Sequence, residues 1–481
     1  MKYLSILLIA VTFSAHAANR QEPVYAYSPE YTQTKKAENL TFRFVAEKAV
    51  ENNTELNKLK QERDTEAKRI DKAISSLFPE IRASAAMNTL DKTRIDYREK
   101  AVQDNVNAKI KMKQILFSDS VIANKNTAEY KASVHKLAAE SVRLDIIRDA
   151  ADSYYSLLRL TDLSTAEKNH LGYLNSIRQG LKARKARKSD YARIDKLIKA
   201  SKSRITQLEQ DRLNEISILE TMIGQKIAAD CSFESYEKML DANGIKDLSD
   251  IFTSLTTEEK IAKVKQFFTE KALDDSPELM AIDELLKLNK RDIKTEKRKF
   301  VLPDVSINGE YTQYLDKKED SDEYTADFSK NDWSLNLRLS MPIFDGKRSS
   351  PDLYAKNTER IQYLNKRAEL RDTIKIRMEN TVDWAVDAES NRSMTADIKN
   401  EADKNLKKQR TLYDAKKLKL SAQLTACEDY YADQKDGINA GYSLVYALND
   451  LQRAYGKFFF MSQDYEDNRF IYDLRAAAEG R

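Results

Sequence analysis

The sequence predicts a mainly helical protein that carries two short pairs of membrane-type β-strands, and three observations predict this fold class. A helix, strand, strand, helix unit occurs twice along the chain, which indicates an internal duplication. The predicted strands alternate between apolar and polar residues, as transmembrane β-strands do. Glycine and proline number only 10 and 7 among 481 residues, so little interrupts the predicted helices.

The N-terminal segment has the pattern of a secretory signal peptide over residues 1–17. Lys2 precedes an apolar run of about 11 residues, and Ala15 and Ala17 supply small side chains before the expected cleavage site. A membrane-spanning helix needs roughly 20 apolar residues, and no later segment approaches that length. Residues 18–34 form a leader that begins with Ala18 rather than a cysteine, so we expect an exported chain without a lipid anchor.

The first repeat is predicted to span residues 35–230, with strands at about 80–90 and 105–117. Ile81, Ala83 and Ala85 alternate with polar or small residues, and Ile110 and Met112 alternate with lysines. The second repeat is predicted to span residues 277–462, with strands at about 303–314 and 332–343. Each segment is long enough to cross a membrane as a tilted β-strand.

The alternation assigns the strand residues to two faces. The side chains expected to face lipid include Val305, Ile307, Trp333, Leu335, Leu337 and Leu339. The side chains expected to line a pore include Arg82, Lys109, Lys111, Lys113, Glu310 and Arg338. With Asp304, this second face carries five basic and two acidic residues, which predicts a lumen that prefers anions.

Four strands cannot cross a membrane alone, because a β-hairpin leaves backbone groups unsatisfied in lipid. The smallest transmembrane barrels have about eight strands, so the chain is expected to oligomerise, and three copies would supply twelve strands. The alternative is a pair of water-soluble amphipathic hairpins that pack on helices.

Long antiparallel helices are predicted to follow each strand pair, with apolar residues at three- and four-residue steps as in coiled coils. They turn at about 184–190 in the first repeat and at about 415–421 in the second. Between the repeats, residues 231–276 change to shorter segments and predict a small mixed insert. Residues 463–481 form a C-terminal tail.

The ordered motifs resemble those of the TolC-like outer-membrane efflux protein family. The resemblance rests on the signal peptide and on four short motifs. These are Leu77-Phe78-Pro79-Glu80 and Val301-Leu302-Pro303-Asp304 before the strand pairs, Pro342-Ile343-Phe344-Asp345 after the second pair, and Ser276-Pro277-Glu278-Leu279 at the start of the second repeat. It covers about residues 35–460. It implies a trimeric twelve-stranded β-barrel continuous with a twelve-helix periplasmic α-barrel in the outer membrane of a Gram-negative-type envelope.

The resemblance also implies a function and partners. The chain would be the exit duct of a tripartite efflux or type I secretion system, passively conducting substrates to the cell exterior. A periplasmic adaptor and an inner-membrane pump of the RND, ABC or MFS type would complete the system. The alternative function is a structural or adhesive coiled-coil protein of the envelope, which leaves the four alternating segments without a purpose.

The helix turns are the expected periplasmic entrance and adaptor-docking site. Their basic residues either attract an acidic adaptor or act only as solubilising charge at helix ends. The assigned residues are Arg184, Lys185, Arg187, Lys188, Ser189 and Asp190 in the first turn, and Lys416, Lys417, Lys419 and Ser421 in the second. Family members carry a Tyr-x-x-Gly pattern here, from which this chain departs at Lys416. Glu428 is interpreted as part of a solvated helix face.

Catalysis, metal binding and cofactors are not predicted. His135 and His170 stand on long helices without metal-ligand spacing or a nearby cysteine, so each is interpreted as an ordinary surface or interface residue. Cys231 and Cys427 are expected to remain unpaired. The net charge of +4 and the absence of a phosphate-binding glycine loop argue against a nucleic-acid-binding protein or a nucleotide enzyme.

Overall fold

A computed structural model describes residues 37–89, 104–183, 187–234, 236, 238, 240, 245–318, 331–347, 349–415, 417–458 and 464–479. The expected signal peptide and leader lie outside the described residues, as do Arg184, Lys185 and Lys416. The described part forms two compact units. Unit 1 contains the described residues of 63–133 and 284–363, and unit 2 contains those of 31–62, 134–283 and 364–481.

Helices dominate the described chain. They are α1 (Phe42–Asn52), α2 (Thr54–Ser75), α3 (Asp119–Ala183), α4 (Lys188–Ile223), α5 (Ile245–Thr253), α6 (Glu258–Asp275), α7 (Pro277–Arg298), α8 (Ser349–Asp414), α9 (Leu420–Tyr455) and α10 (Asp464–Glu479). The strands are β1 (Ala37–Leu40), β2 (Glu80–Thr89), β3 (Asp104–Phe117), β4 (Ile227–Phe233), β5 (Asp304–Lys318) and β6 (Asn331–Ser340).

Unit 1 holds an antiparallel four-stranded sheet in the order β2-β3-β5-β6. Its two hairpins, one from each repeat, pair through β3 and β5, which leaves β2 and β6 at the edges. β5 extends beyond the predicted end at residue 314, whereas β6 stops at Ser340, short of the predicted residue 343. Pro342 lacks the backbone N–H that a continuing ladder would need.

An ion pair in unit 1 holds the start of α3 against α7. Asp119 lies in the first turn of α3, where a negative charge suits the helix dipole. The guanidinium of Arg291 donates to both carboxylate oxygens of Asp119, at 3.0 and 3.3 Å, and both side chains are nearly buried. This contact fixes the helix that leaves β3 against the helix that leads into β5.

The main core of unit 2 forms where α1, α3 and α9 meet. Tyr154 and Tyr155 of α3 are completely buried, and the ring of Tyr155 lies 5.5 Å from Phe42 and 6.3 Å from Tyr446. The hydroxyl of Tyr154 donates to the carbonyl of Leu40 at 2.8 Å, which satisfies the buried polar group. The amphipathic helices of the two repeats therefore share one core.

Unit 2 also contains a parallel strand pair that the alternation did not predict. β1 pairs with β4, and β4 begins at Ile227, before the expected start of the insert at residue 231. The C-terminal tail joins the same region, because α10 packs on α5 and α6 through Phe470 and Phe268. Both strands are short, and neither alternates clearly enough to be recognised from sequence.

Candidate functional site

The four-stranded sheet of unit 1 separates polar from apolar side chains, and the strand register shows which residues share a face. Lys111 lies directly opposite both Arg82 and Glu310. Glu310 in turn lies opposite Ser334. Directly opposed residues point to the same side of a sheet, so one polar face runs across all four strands.

Most charges of this polar face are paired. The ammonium groups of Lys109 and Lys111 lie 3.2 and 3.3 Å from the carboxylate of Glu310, and Arg82 forms an ion pair with Glu80. Lys113 and Arg338 form no ion pair within the described residues. All six predicted polar side chains therefore share this face, and a groove of about 460 Å³ lies over its centre.

The polar face carries more acidic residues than the alternation of the sequence predicts. Glu80 lies opposite Lys113, and Asp332 lies opposite Thr312, so both acids join Asp304 and Glu310 on the face. The predicted excess of three positive charges falls to one among the described positions. Neither acid is expected there from the sequence, because each stands at the start of a strand, where the alternation is not yet established.

The opposite face is apolar and open. Trp333 is 73% exposed, and Leu335, Leu337 and Leu339 are each 63% exposed. Val305 and Ile307 are partly covered and lie opposite Leu339 and Leu337. A contiguous apolar surface of this kind is unusual on a water-soluble chain and is typical of contact with a membrane or a partner.

The two helix turns expected at the entrance are described in part. The first tip, residues 187–190, starts α4, and the backbone N–H of Arg187 donates to the carboxylate of Asp190 at 3.3 Å. The second tip, residues 417–421, leads into α9. Arg187, Lys188, Ser189, Lys417, Lys419 and Ser421 are exposed, and Asp190 is half-buried. None of the four basic residues among these forms an ion pair within the described residues.

The tips lie close together because the helices behind them share a small core. Leu181 and Ile194 of the first repeat pack with Leu424 and Cys427 of the second. The side-chain amide of Gln423 also donates to the hydroxyl of Tyr173. The structure therefore brings the two predicted turns to one place, although they are far apart in sequence.

Behind the tips lies an ionic cluster with a buried centre, which bears on two interpretations from the sequence. We define the His170 cluster as Glu167, His170, Arg204, Cys427 and Glu428. His170 is 2% exposed, its ring stacks on Tyr431 at 4.5 Å, and it contacts Glu428, so of the two expected places, surface or interface, it occupies an interface between helices. Glu428 is not part of a freely solvated face.

The contacts of the cluster span three helices. His170 lies 3.2 Å from Glu167 on its own helix, and Arg204 of α4 donates to the same carboxylate at 2.8 Å. Burial alone would lower the pKa of His170, but the neighbouring Cys427, Glu167 and Glu428 raise this pKa to about 10. The imidazole is therefore a fixed cation near neutral pH.

Sequence reasoning missed the His170 cluster because its members belong to different repeats. The i, i+3 spacing of Glu167 and His170 on one helix was the available signal. Cys427 and Cys231 are both buried and carry no disulfide. Within the described residues, no group of three or more His, Cys, Asp or Glu side chains could hold a metal ion.

Among the helices that the structure describes, none is both long and apolar enough to span a membrane. No protein-family model matches the sequence, and no curated protein matches it. Solved structures do match. The open-state MtrE outer membrane channel of Neisseria gonorrhoeae aligns with a TM-score of 0.66 and 14% identity, covering 86% of this chain and 89% of MtrE.

Two further structures agree. The outer membrane protein VceC of Vibrio cholerae aligns with a TM-score of 0.65 and 13% identity, covering 87% of this chain and 96% of VceC. The Campylobacter jejuni CmeC outer membrane channel aligns with a TM-score of 0.63 and 13% identity over 91% of this chain and 89% of CmeC. The chain has the TolC-like fold.

Proposed function

We propose that this chain is an outer-membrane channel that serves as the passive exit duct of a tripartite efflux or type I secretion system. The observation that carries the proposal is the four-stranded sheet, with one charged face and one exposed apolar face. An apolar face suits lipid, and a charged face suits a water-filled lumen.

The open edges of the sheet support assembly into a closed barrel. Within the described residues β2 and β6 each pair with another strand on one side only, so each offers an open edge to a further strand. Unsatisfied backbone groups at an open edge cost several kcal/mol each in lipid, so a membrane-inserted sheet must close on itself or on other copies. Three copies would supply twelve strands, which we propose form one β-barrel above a twelve-helix periplasmic α-barrel.

The comparisons support the same function at the level of the fold. MtrE and CmeC are described as outer membrane channels, and each aligns over most of its own length. We therefore place this chain in the outer membrane of a Gram-negative-type envelope, with its long helices in the periplasm. It would contact outer-membrane lipid and no nucleic acid, and its function would be conduction rather than catalysis.

The two tips are the proposed docking site for a periplasmic adaptor, which would connect the duct to an inner-membrane pump. Arg187 and Lys188 of the first tip and Lys417 and Lys419 of the second are exposed and lie at the ends of helices that share a core. Unpaired basic side chains at one surface would steer an acidic partner towards it. The proposed site also includes Arg184, Lys185, Ser189, Asp190, Lys416 and Ser421.

A structural or adhesive envelope protein is the second candidate. The long paired helices suit it, but it gives no role to the exposed Trp333, Leu335 and Leu337. Purified protein added to planar bilayers separates the two functions, because only a channel gives discrete single-channel currents. Heat-resistant trimers extracted from outer membranes are the accompanying expectation.

A matched pair of variants tests the assignment of the two faces. Leu335→Arg with Leu337→Arg places two charges on the apolar face, whereas Ser334→Arg with Asn336→Arg places the same charges on the polar face. Each arginine near the bilayer centre costs about 2–4 kcal/mol on a lipid-facing position. The first variant should lose membrane insertion and current, and the second should keep both. Equal behaviour of the two variants would contradict the proposed channel wall.

A further inference from the structure

A basic groove lies between α2 and α3 in unit 1, outside the faces and tips described above. Its volume is about 540 Å³. Its side chains include Arg69 and Lys72 from α2, and Asn124, Thr127 and Lys131 from α3. The lining contains mostly cations and hydrogen-bonding groups, which is the composition expected of a site for an anion.

The positive charge of the groove is mostly unneutralised. Arg69 pairs at 3.1 Å with Glu66, which is 8% exposed and also lines the groove. Lys72 and Lys131 are exposed and form no ion pair in the part of the chain that the structure describes. Two ammonium groups from facing helices thus remain available to a ligand.

The groove also offers neutral donors. The side-chain amide of Asn124 and the hydroxyl of Thr127 form no hydrogen bond within the described ranges. Both stand one or two helical turns from Lys131 on the same helix. A phosphate oxygen could therefore receive hydrogen bonds from an amide or hydroxyl while a lysine balances its charge.

The groove lies near the junctions between α2 and β2 and between β3 and α3, where exposed apolar side chains begin. α2 ends at Ser75, and the exposed Phe78 and Ile81 follow it, 64% and 68% exposed. Leu116, 48% exposed, precedes the start of α3. Lys72 stands three residues before the end of α2, which is about 5 Å along the helix axis. Lys72 therefore lies close in sequence and in space to the apolar residues that follow α2.

We propose that this groove binds the phosphodiester headgroup of an anionic phospholipid in the leaflet that meets the helix ends. The inference rests on the proposed insertion of the strands into a membrane. Lys72 and Lys131 bind the phosphate, Asn124 and Thr127 donate to its oxygens, and the acyl chains lie along the apolar junction at Phe78. Basic pockets at a membrane edge bind anionic headgroups in this way.

A lipid explains the groove better than a free phosphate ion does. The cations are exposed rather than enclosed, so a small ion would remain largely hydrated and would bind weakly. A phospholipid is held in the plane of the bilayer by its acyl chains, which keeps its phosphate at a high local concentration beside the groove. The adjacent Phe78 and Leu116 supply apolar contact that a free ion cannot use.

The test uses the full chain in mild detergent and native mass spectrometry, with phosphatidylglycerol and phosphatidylcholine as the probes. The groove variant is Arg69→Gln, Lys72→Gln and Lys131→Gln. The matched control is Arg63→Gln, Lys68→Gln and Lys125→Gln, which removes three charges from the same helices at exposed pairs outside the groove. Lys72→Arg with Lys131→Arg keeps the charge and should keep binding.

We expect the native chain and the control to bind phosphatidylglycerol in preference to phosphatidylcholine. In the groove variant this preference should fall about thirtyfold. This figure corresponds to the two unpaired lysines at about 1 kcal/mol each near a membrane surface; Arg69 is not counted, because Glu66 already neutralises it. An unchanged preference in the groove variant would overturn the proposal, and so would an equal loss in the control. Displacement of the lipid by inorganic phosphate at matched concentration would identify a free-anion site instead.

The design separates this inference from the proposed channel function. Flotation with phosphatidylcholine vesicles reports membrane insertion of each variant without any anionic lipid. Failure of the native chain to insert would contradict the channel proposal. Insertion without a preference for phosphatidylglycerol would contradict only the lipid site. Circular dichroism of each variant should retain the native helical signal.

Discussion

The Nε2 atom of His170 lies 2.9 Å from the Oε1 atom of Glu428, and this ion pair joins α3 of the first repeat to α9 of the second. His170 also contacts Glu167, whose carboxylate accepts from Arg204. Burial alone would raise the pKa of Glu167, but His170 and Arg204 lower it to about 2. Opposite charges in a buried site each favour the ionised form of the other.

The first prediction concerns the pH dependence that His170 contributes. The pKa of His170 is raised in the folded chain to about 10 from 6.5. A raised histidine pKa gives stability that is fully present below pH 6.5 and is lost as the pH rises towards 10. The apparent melting temperatures of the native and His170→Gln proteins in detergent should therefore converge as the pH rises from about 7 to 10.

The size of the effect follows from the carboxylates left behind. His170→Gln leaves Glu167 and Glu428 without their shared cation, and breaking a buried pair costs about 3–5 kcal/mol. Arg204 still neutralises Glu167, so we expect about 3 kcal/mol at neutral pH. His135→Gln is the matched control, because His135 lies 3.5 Å from Glu62 but is 31% exposed. An equal loss in both variants would contradict a specific role for the His170 cluster.

The second prediction concerns Arg453, a buried cation that holds two acids. Its guanidinium donates to Asp145 at 2.6 Å and to Glu278 at 2.9 Å, and the residue is 7% exposed. Arg453→Met should lower the free energy of unfolding by about 2–3 kcal/mol, since the partly exposed acids can regain water. Arg475→Met removes an exposed pair with Asp247 and should cost less than about 1 kcal/mol.

The same contact predicts an acid dependence. Burial alone would raise the pKa of Glu278, but Ser141 and Arg453 lower it to about 2, from 4.5. A depressed carboxylate pKa gives stability above pH 4.5 that is lost as the pH falls towards 2. The melting temperatures of the native and Arg453→Met proteins should therefore approach each other over this range. A constant difference would show that Glu278 does not depend on Arg453.

The third prediction tests the polar face as the wall of a conducting lumen. Lys109→Gln, Lys111→Gln and Lys113→Gln together remove three positive charges. The reversal potential measured in a KCl gradient should therefore shift towards the value of a cation-selective pore. Glu310→Gln removes the carboxylate that pairs with both Lys109 and Lys111. The reversal potential of this variant should shift towards the value of an anion-selective pore. Opposite shifts support the assignment, and no shift in either variant would place these residues outside the conducting path.

The fourth prediction tests adaptor docking at the tips. Arg187→Glu, Lys188→Glu, Lys417→Glu and Lys419→Glu should reduce cross-linking to the periplasmic adaptor at least tenfold, because reversed charges repel an acidic partner. Lys199→Glu, Lys202→Glu, Lys404→Glu and Lys408→Glu are the matched control, exposed on helices of the same unit. The control should cross-link normally. Comparable losses in both variants would indicate a general charge effect rather than a docking site.

The sequence by itself determined the period of each segment and therefore which residues share a strand face. Leu335, Leu337 and Leu339 lie on one side because side chains alternate along a strand, whatever the neighbouring strand is. The same reasoning placed Lys109 and Lys111 on a polar face. The scarcity of glycine and proline likewise predicted long helices, because helix propagation needs only local hydrogen bonds.

The tertiary structure alone decided which distant residues meet. Glu310 reaches Lys109 across 201 positions of sequence, and this register depends on how β3 and β5 align. His170 and Glu428 seemed unrelated, because no local pattern records the packing of α3 on α9. Periodicity fixes the direction of a side chain relative to its own helix or strand. The partner of that side chain depends on contacts between segments far apart in the chain, and the partner in turn influences the charge state of the side chain.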